Sequence, residues 1–204
     1  LLVVSFAIFR DLDISITLAD TEKFYVEKIN IYGNSYTLEE VIRNDLIVDE
    51  GDPYNVILFN KSINKIKSRN LFSTVDSKIL PGSTPNLKII GLTVEEKPTG
   101  EISLGAGVGT SGGSIGGGVK ENNFLGKGIK LDTNVKVSAN SIKGKFRYEK
   151  PNFNYSDNSL IMSVNSTSTN NLTDYGYKTS DLGFSIGTSF QQYENLYFSP
   201  TISS

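Results

Sequence analysis

The 204-residue chain contains no cysteine, no histidine and no tryptophan. Those gaps remove thiolate nucleophiles, imidazole bases, disulfides and nearly every transition-metal site together. Any catalyst built from this chain would have to run on carboxylates, Ser, Lys or Tyr. Zero cysteine suits an oxidising compartment such as the bacterial periplasm, although many cytosolic chains also lack it. Charge of one sign is equally scarce. The net charge is −2, with no long run of either sign, so the electrostatic footprint of a nucleic-acid binder is missing and no nucleic-acid partner is expected. The apolar opening, residues 1–9, is too short to span a bilayer as a helix and has no basic leader. It reads as a buried strand.

Glycine is plentiful but unevenly spread, and most of the 19 glycines follow Pro98. Before Pro98 the pattern is mixed helix and strand; after it, segments alternate with period two and show no helical spacing. Pro98 and Gly100 punctuate the change, which divides the chain into 1–22, 23–97 and 98–204.

In the first part, Leu12, Ile14, Ile16 and Leu18 alternate with polar residues and predict a strand. Val26, Ile29 and Ile31 begin another, closed by the turn Gly33-Asn34. Thr37, followed three residues later by Glu40, predicts a capping box opening a helix with Val41, Ile42 and Leu46 on one face. Asn55 is placed to cap a second helix carrying Phe59, Ile63 and Ile66, and Asn70 sits where a helix ends left-handed. Strands over 72–80 and 87–94 flank a Pro81-Gly82 turn. The segment 14–18 resembles 90–94, a faint repeat which, if real, makes residues 1–22 the tail of a preceding copy of the same domain.

Beyond Pro98, alternating runs cover 101–110, 113–121, 128–139, 142–150, 159–168 and 176–191. Most are near the ~9–11 residues of a tilted membrane strand, giving about six strands of an antiparallel meander. In 129–137 one face carries Ile129, Leu131, Val135 and Val137, and the other Lys130, Asp132 and Lys136. Such alternation fits a soluble sandwich or a membrane barrel equally. Aromatics such as Phe124, Tyr148, Phe153, Tyr155, Tyr193 and Tyr197 gather at segment ends, as in an interfacial girdle.

Little here looks like reaction chemistry. Glu95 with Glu96, and Asp49 with Glu50 and Asp52, lie at a strand end and in a turn, where solvated acidic clusters are ordinary. The glycines at 105–109 are followed by strand rather than helix, so a phosphate-binding reading fails. Lys130, Lys136, Lys143, Lys145 and Arg147 share the polar face with Asp132 and Glu149. No catalytic residue, cofactor or metal is expected.

The residues Phe24-Tyr25-Val26-Glu27-Lys28-Ile29-Asn30-Ile31-Tyr32-Gly33-Asn34, Val41-Ile42-Arg43, Gly51-Asp52-Pro53-Tyr54 and Asn70-Leu71-Phe72-Ser73-Thr74-Val75 resemble a POTRA domain, with Gly33 and Asn34 as its turn. The family usually has Gly where this chain has Asn70. Glu121-Asn122-Asn123-Phe124-Leu125-Gly126-Lys127-Gly128, followed by Lys150-Pro151-Asn152-Phe153 and Gln192-Tyr193-Glu194-Asn195-Leu196, resembles the barrel turns of BamA-type outer-membrane assembly factors. The fold this implies is an α+β POTRA domain followed by an incomplete antiparallel transmembrane β-barrel.

The resemblance implies a fragment of a protein that folds and inserts β-barrel proteins into the bacterial outer membrane, with its POTRA domain in the periplasm. Its implied partners are outer-membrane lipids, unfolded outer-membrane protein clients and accessory lipoproteins. The first barrel strand, Ser103, Leu104, Gly105, Ala106, Gly107, Val108 and Gly109, would pair with a client strand, and Glu96, Lys97, Pro98 and Gly100 would form a hinge. The glycines of that strand have two readings, a softened backbone for reversible pairing or small residues fitted to a crowded interior. Two alternatives stand beside the assembly factor. One is a TamA-like or POTRA-barrel secretion or translocation protein, the other a passive structural or adhesive β protein.

Overall fold

A computed structural model of the chain describes residues 23–109, 112–193 and 196–204. The expectation that residues 1–22 are the tail of a preceding domain lies outside the described residues.

The first unit is built on β1 (Tyr25–Tyr32), α1 (Glu39–Arg43), α2 (Val56–Ser68), β2 (Phe72–Pro81) and β3 (Leu87–Glu96). β3 lies in the centre of a three-stranded sheet, parallel to β1 and antiparallel to β2. Its period of two sends Ile90, Leu92 and Val94 to one face, where they are buried against Val41 and Ile42 of α1 and Phe59, Ile63 and Ile66 of α2. That sheet face cannot stay wet, so the helices cover it. Asn55 caps α2 as its sequence predicts, its Oδ1 accepting from the amides of Ile57 (2.9 Å) and Leu58 (3.1 Å). Inside α2 the buried Ser62 hydroxyl donates to the Leu58 carbonyl and accepts from the Ile47 amide, tying the helix to the loop before it. Asn70 takes the left-handed conformation expected of it, at φ 60°.

The first helix corrects the sequence reading. It stops at Arg43, and Leu46 packs on the core from the loop beyond. Leu38 occupies the N-cap with no side-chain cap bond, so the Thr37 capping box does not form. The Thr37 hydroxyl is engaged by Asn123, a residue of the following unit.

The second unit is an open antiparallel sheet of β4 (Gly100–Gly109), β5 (Gly112–Phe124), β6 (Ile129–Ser138), β7 (Ser141–Lys150), β8 (Ser159–Asn171) and β9 (Tyr177–Tyr193), each paired with its sequence neighbour. A short helix, α3 (Leu172–Tyr175), joins β8 to β9. β10 (Leu196–Phe198) and β11 (Thr201–Ser203) then both pair with β9, at Phe190–Tyr193 and Ser185–Gly187. Together they make one further strand interrupted at Ser199 and Pro200, beyond the six anticipated. Pro200 still serves the ladder through its carbonyl, which accepts from the Thr188 amide.

Register sorts the side chains of this sheet into two faces. Leu104 shares a face with Ile102, Val108, Ile115 and Val119 through the β4–β5 pairing. The same face continues through Val135 and Val137, then Ile142 and Phe146, then Met162 and Val164, and ends on Phe184 and Ile186. The opposite face carries Ser103, Lys120, Asp132, Lys136, Lys145, Arg147, Glu149, Asn165 and Asp181. On the apolar face Leu104 is 86% and Val108 92% exposed to solvent, and no element among the described residues covers them. A contiguous apolar surface across six strands far exceeds what a monomer leaves in water. Among the described residues no helix is long and apolar enough to cross a membrane.

Candidate functional site: the free strand edge and the domain junction

β4 is hydrogen-bonded on one side only, to β5, in an unbroken register from Gly100–Glu121 to Gly109–Gly112. Its outer row of amide and carbonyl groups has no partner among the described residues. Edges of this kind are ordinarily blunted with Pro, Lys or a bulge. Between Ile102 and Gly109 this one has none of them, and its sole charge is Glu101. All seven residues singled out for strand pairing, Ser103 to Gly109, therefore lie together on one open edge.

The glycines on the two strands differ. A methyl group on Gly105 or Gly109 would meet nothing within 4 Å, and on Gly107 only the Ser114 Oγ at 3.8 Å. On β5 the same methyl would come 3.1 Å from the Val135 carbonyl oxygen at Gly116 and 2.9 Å from Asn134 Nδ2 at Gly118. Crowding by described atoms thus accounts for Gly116 and Gly118 of β5 and leaves Gly105, Gly107 and Gly109 of β4 unexplained. With Gly105 opposite Gly116 and Ser103 opposite Gly118, the sheet here carries a trough of about 440 Å³ lined mostly by small residues, with Leu104, Asn134 and Lys136 as its larger side chains.

The junction below β4 is braced. Glu96 ends β3, and its carboxylate accepts from three successive amides, Ser35 (3.2 Å), Tyr36 (3.0 Å) and Thr37 (2.6 Å). Burial alone would raise its pKa. Hydrogen bonds from Thr37, through side chain and backbone, and from the amides of Tyr36 and Ser35 outweigh that and hold it below the ordinary carboxylate value. The turn at Gly33 and Asn34 delivers those amides. Gly33 has φ 89°, and any Cβ there would sit 2.0 Å from the Val94 carbonyl oxygen, so glycine is required. Asn34 Nδ2 donates to the Thr37 carbonyl at 3.1 Å.

The remaining hinge residues are also engaged. The Lys97 amide donates to the Leu71 carbonyl and its ammonium reaches Asn70 Oδ1. Gly100 is already in β4. Between them only Pro98 and Thr99 follow Lys97 outside the strands, and the Thr99 hydroxyl bonds the Glu121 carboxylate.

Two turns of the second unit dock onto the first, an arrangement that no local sequence pattern signals. In the β5–β6 turn the buried Asn123 donates to the Thr37 hydroxyl (2.8 Å) and accepts from the Gly128 amide (2.8 Å). The Gly126 carbonyl accepts from Leu38 (2.8 Å) at the start of α1, and a Cβ at Gly126 would lie 2.1 Å from the Tyr36 carbonyl oxygen. In the β7–β8 loop Asn152 Nδ2 donates to the Asn44 carbonyl and to the Asp45 carboxylate, both at 3.1 Å. Asp45 is 1% exposed and is held bidentately by Arg69 at 2.6 and 2.8 Å. Lys65 pairs with Asp157 of the same loop at 2.7 Å.

The acidic clusters have structural work. Glu50 accepts from the Ile29 amide and lies 3.5 Å from Arg43, while Asp52 accepts from the Asp49 amide. On the polar face of the sheet, Glu149 lies between Lys130 (3.1 Å) and Arg147 (3.0 Å). The cations there balance neighbouring charge.

Residues 24–97 match the family model of the POTRA surface antigen variable number repeat. The chain is 27% identical over 146 residues to the outer membrane protein assembly factor BamA of Neisseria meningitidis, covering 71% of this chain and 18% of that protein. A crystal structure of BamA from Haemophilus ducreyi lacking POTRA domains 1–3 superposes with a TM-score of 0.75 at 25% identity, over 88% of this chain and 35% of that one. CdiB from Acinetobacter baumannii shares the fold, with a TM-score of 0.62 at 15% identity, over 90% of this chain and 39% of that one. The chain spans less than a fifth of the curated relatives it matches. A POTRA domain leading directly into an open up-and-down sheet that matches part of a BamA barrel places this chain among the BamA-type outer-membrane assembly factors.

Proposed function

We propose that the parent protein inserts β-barrel clients into the bacterial outer membrane, and that β4 is the edge on which a client strand forms. The observation that carries this reading is the unblunted edge at Ser103 to Gly109, continuous with an apolar sheet face that suits lipid. In such a barrel the apolar face meets acyl chains and the charged face lines the lumen. An incoming strand gains main-chain hydrogen bonds from β4 while its side chains find little on the glycine positions to clash with. Pairing of this kind is reversible because it rests on backbone bonds, with few side-chain contacts to hold the client back.

No covalent chemistry is required; the work is templating. The POTRA domain would lie in the periplasm, meeting unfolded clients and accessory lipoproteins. Movement between it and the barrel at Pro98 and Thr99 would first have to release the Glu96 clasp and the two docked turns.

The test is disulfide crosslinking in the full-length parent during assembly in membranes, with Cys placed singly at Ser103, Gly105 or Gly107 and along a client's terminal strand. This segment contributes no competing thiol. Crosslinks should step along β4 in a fixed antiparallel or parallel register. Clients that insert normally while never crosslinking to any of the three positions would remove β4 from the role.

A further inference from the structure

Where α1, the end of α2 and the β7–β8 loop meet, they enclose a cavity of about 260 Å³ that the templating role does not use. Three cations line it, Arg69 from the POTRA side and Lys127 and Lys150 from the barrel side, against one carboxylate, Glu40. Arg69 gives its Nε and Nη2 to Asp45, a pair that does not use its Nη1. Lys127 and Lys150 are in no ion pair among the described residues; Lys150 has only the Phe153 ring, 5.9 Å from its ammonium.

Position gives this charge a meaning. Lys150 pairs with Leu160 in the β7–β8 register and so lies on the apolar face, one step beyond Tyr148, at the end of the strand nearest the POTRA domain. An ammonium there stands at headgroup depth, where long basic side chains reach for the interface. Around it Phe124, Leu125, Phe153 and Tyr155 are exposed, Tyr155 at 82%. The loop that shapes the wall holds Asn152, Asn154 and Tyr155 at φ between 51° and 57°, a conformation costly for side-chain-bearing residues and especially for tyrosine. Asn152 is fixed there by its bonds to Asn44 and Asp45.

We propose that this junction cavity binds the phosphodiester of a membrane phospholipid headgroup, held between Lys127 and Lys150, with Arg69 as a further donor. Glu40 stands on the same wall to receive a headgroup ammonium, which favours an ethanolamine lipid. The acyl chains would run up the apolar face beside Tyr148 and Leu160. Because the cavity is walled by both units, an occupied site would fix the POTRA domain against the membrane plane. The proposal rests on the membrane reading above.

Native mass spectrometry of the full-length parent, released from nanodiscs of phosphatidylethanolamine, tests it. The unaltered protein should retain a phosphatidylethanolamine adduct, and K127Q/K150Q should retain at least tenfold less. K127R/K150R, which keeps both charges, should retain it, and millimolar inorganic phosphate should not displace it. Equal retention by K127Q/K150Q and the unaltered protein would overturn the site, and displacement by inorganic phosphate would make it a free-anion site instead. A parent that stays monomeric without detergent and enters no nanodisc would overturn the membrane reading itself, a result distinguishable from loss of the site alone.

Discussion

Glu96 does more for this junction than its place in an acidic pair implies. Three amides converge on one carboxylate, and charge-assisted bonds of that kind are roughly twice as strong as neutral ones. E96Q keeps the shape and removes the charge. In the full-length protein at pH 7 it should lower the unfolding free energy of the POTRA domain by about 1 kcal/mol, since partial exposure screens the bonds. The pH dependence follows from the sign of the shift. Glu96 has its folded pKa below the ordinary 4.5, so its contribution is complete above that value and is lost as pH falls through the folded pKa. Urea unfolding should therefore separate the two proteins more at pH 7 than at pH 3. A gap of equal size at both pH values would mean that the charge is not what the amides hold. Buried Asp45 is the companion case. D45A leaves Arg69 without its counter-charge and should cost about 3–5 kcal/mol, read from the same unfolding curves.

Among the elements, the β5–β6 turn decides how the two units sit. Its left-handed Gly126, at φ 70°, passes so near the Tyr36 carbonyl that even alanine has no room. G126A should undock the turn, free Asn123 from Thr37 and expose residues 96–100 to protease several-fold faster, with the strands of the sheet unaffected. Unchanged cleavage would show that the turn does not brace the junction. At this scale the sequence was informative wherever a pattern is local. The alternating runs located β4 to β9 to within a few residues, because a period of two is written along each strand. The Asn55 cap and left-handed Asn70 were legible for the same reason. The Thr37 capping box failed because that hydroxyl bonds Asn123, 86 residues away, and local chemistry cannot see such a competitor. β10 and β11 are too short to show a period, and Pro200 between them reads as a stop. The docking residues Asn123 and Asn152 looked like ordinary turn asparagines, and nothing in the chain marks Thr37 as the partner of the first or Asp45 as the partner of the second.

For the whole molecule, the central question is what the apolar face of the sheet meets. Alternation in the sequence left a soluble sandwich and a membrane barrel equally open. Register resolves one half of that, because it aligns Leu104, Ile115, Val135, Phe146, Met162 and Phe184 into one uncovered surface, and a sandwich would need a second sheet there. The POTRA domain does not supply it, since its contacts are with the turns at one end. Spin labels placed singly at residues 133 to 138 of β6, in the full-length parent reconstituted in bilayers, measure the point directly. Collision with oxygen should dominate at Thr133, Val135 and Val137, and collision with a water-soluble nickel chelate at Asn134, Lys136 and Ser138. Uniform access of the nickel chelate to all six positions would contradict the account, since it would place both faces of the sheet in water.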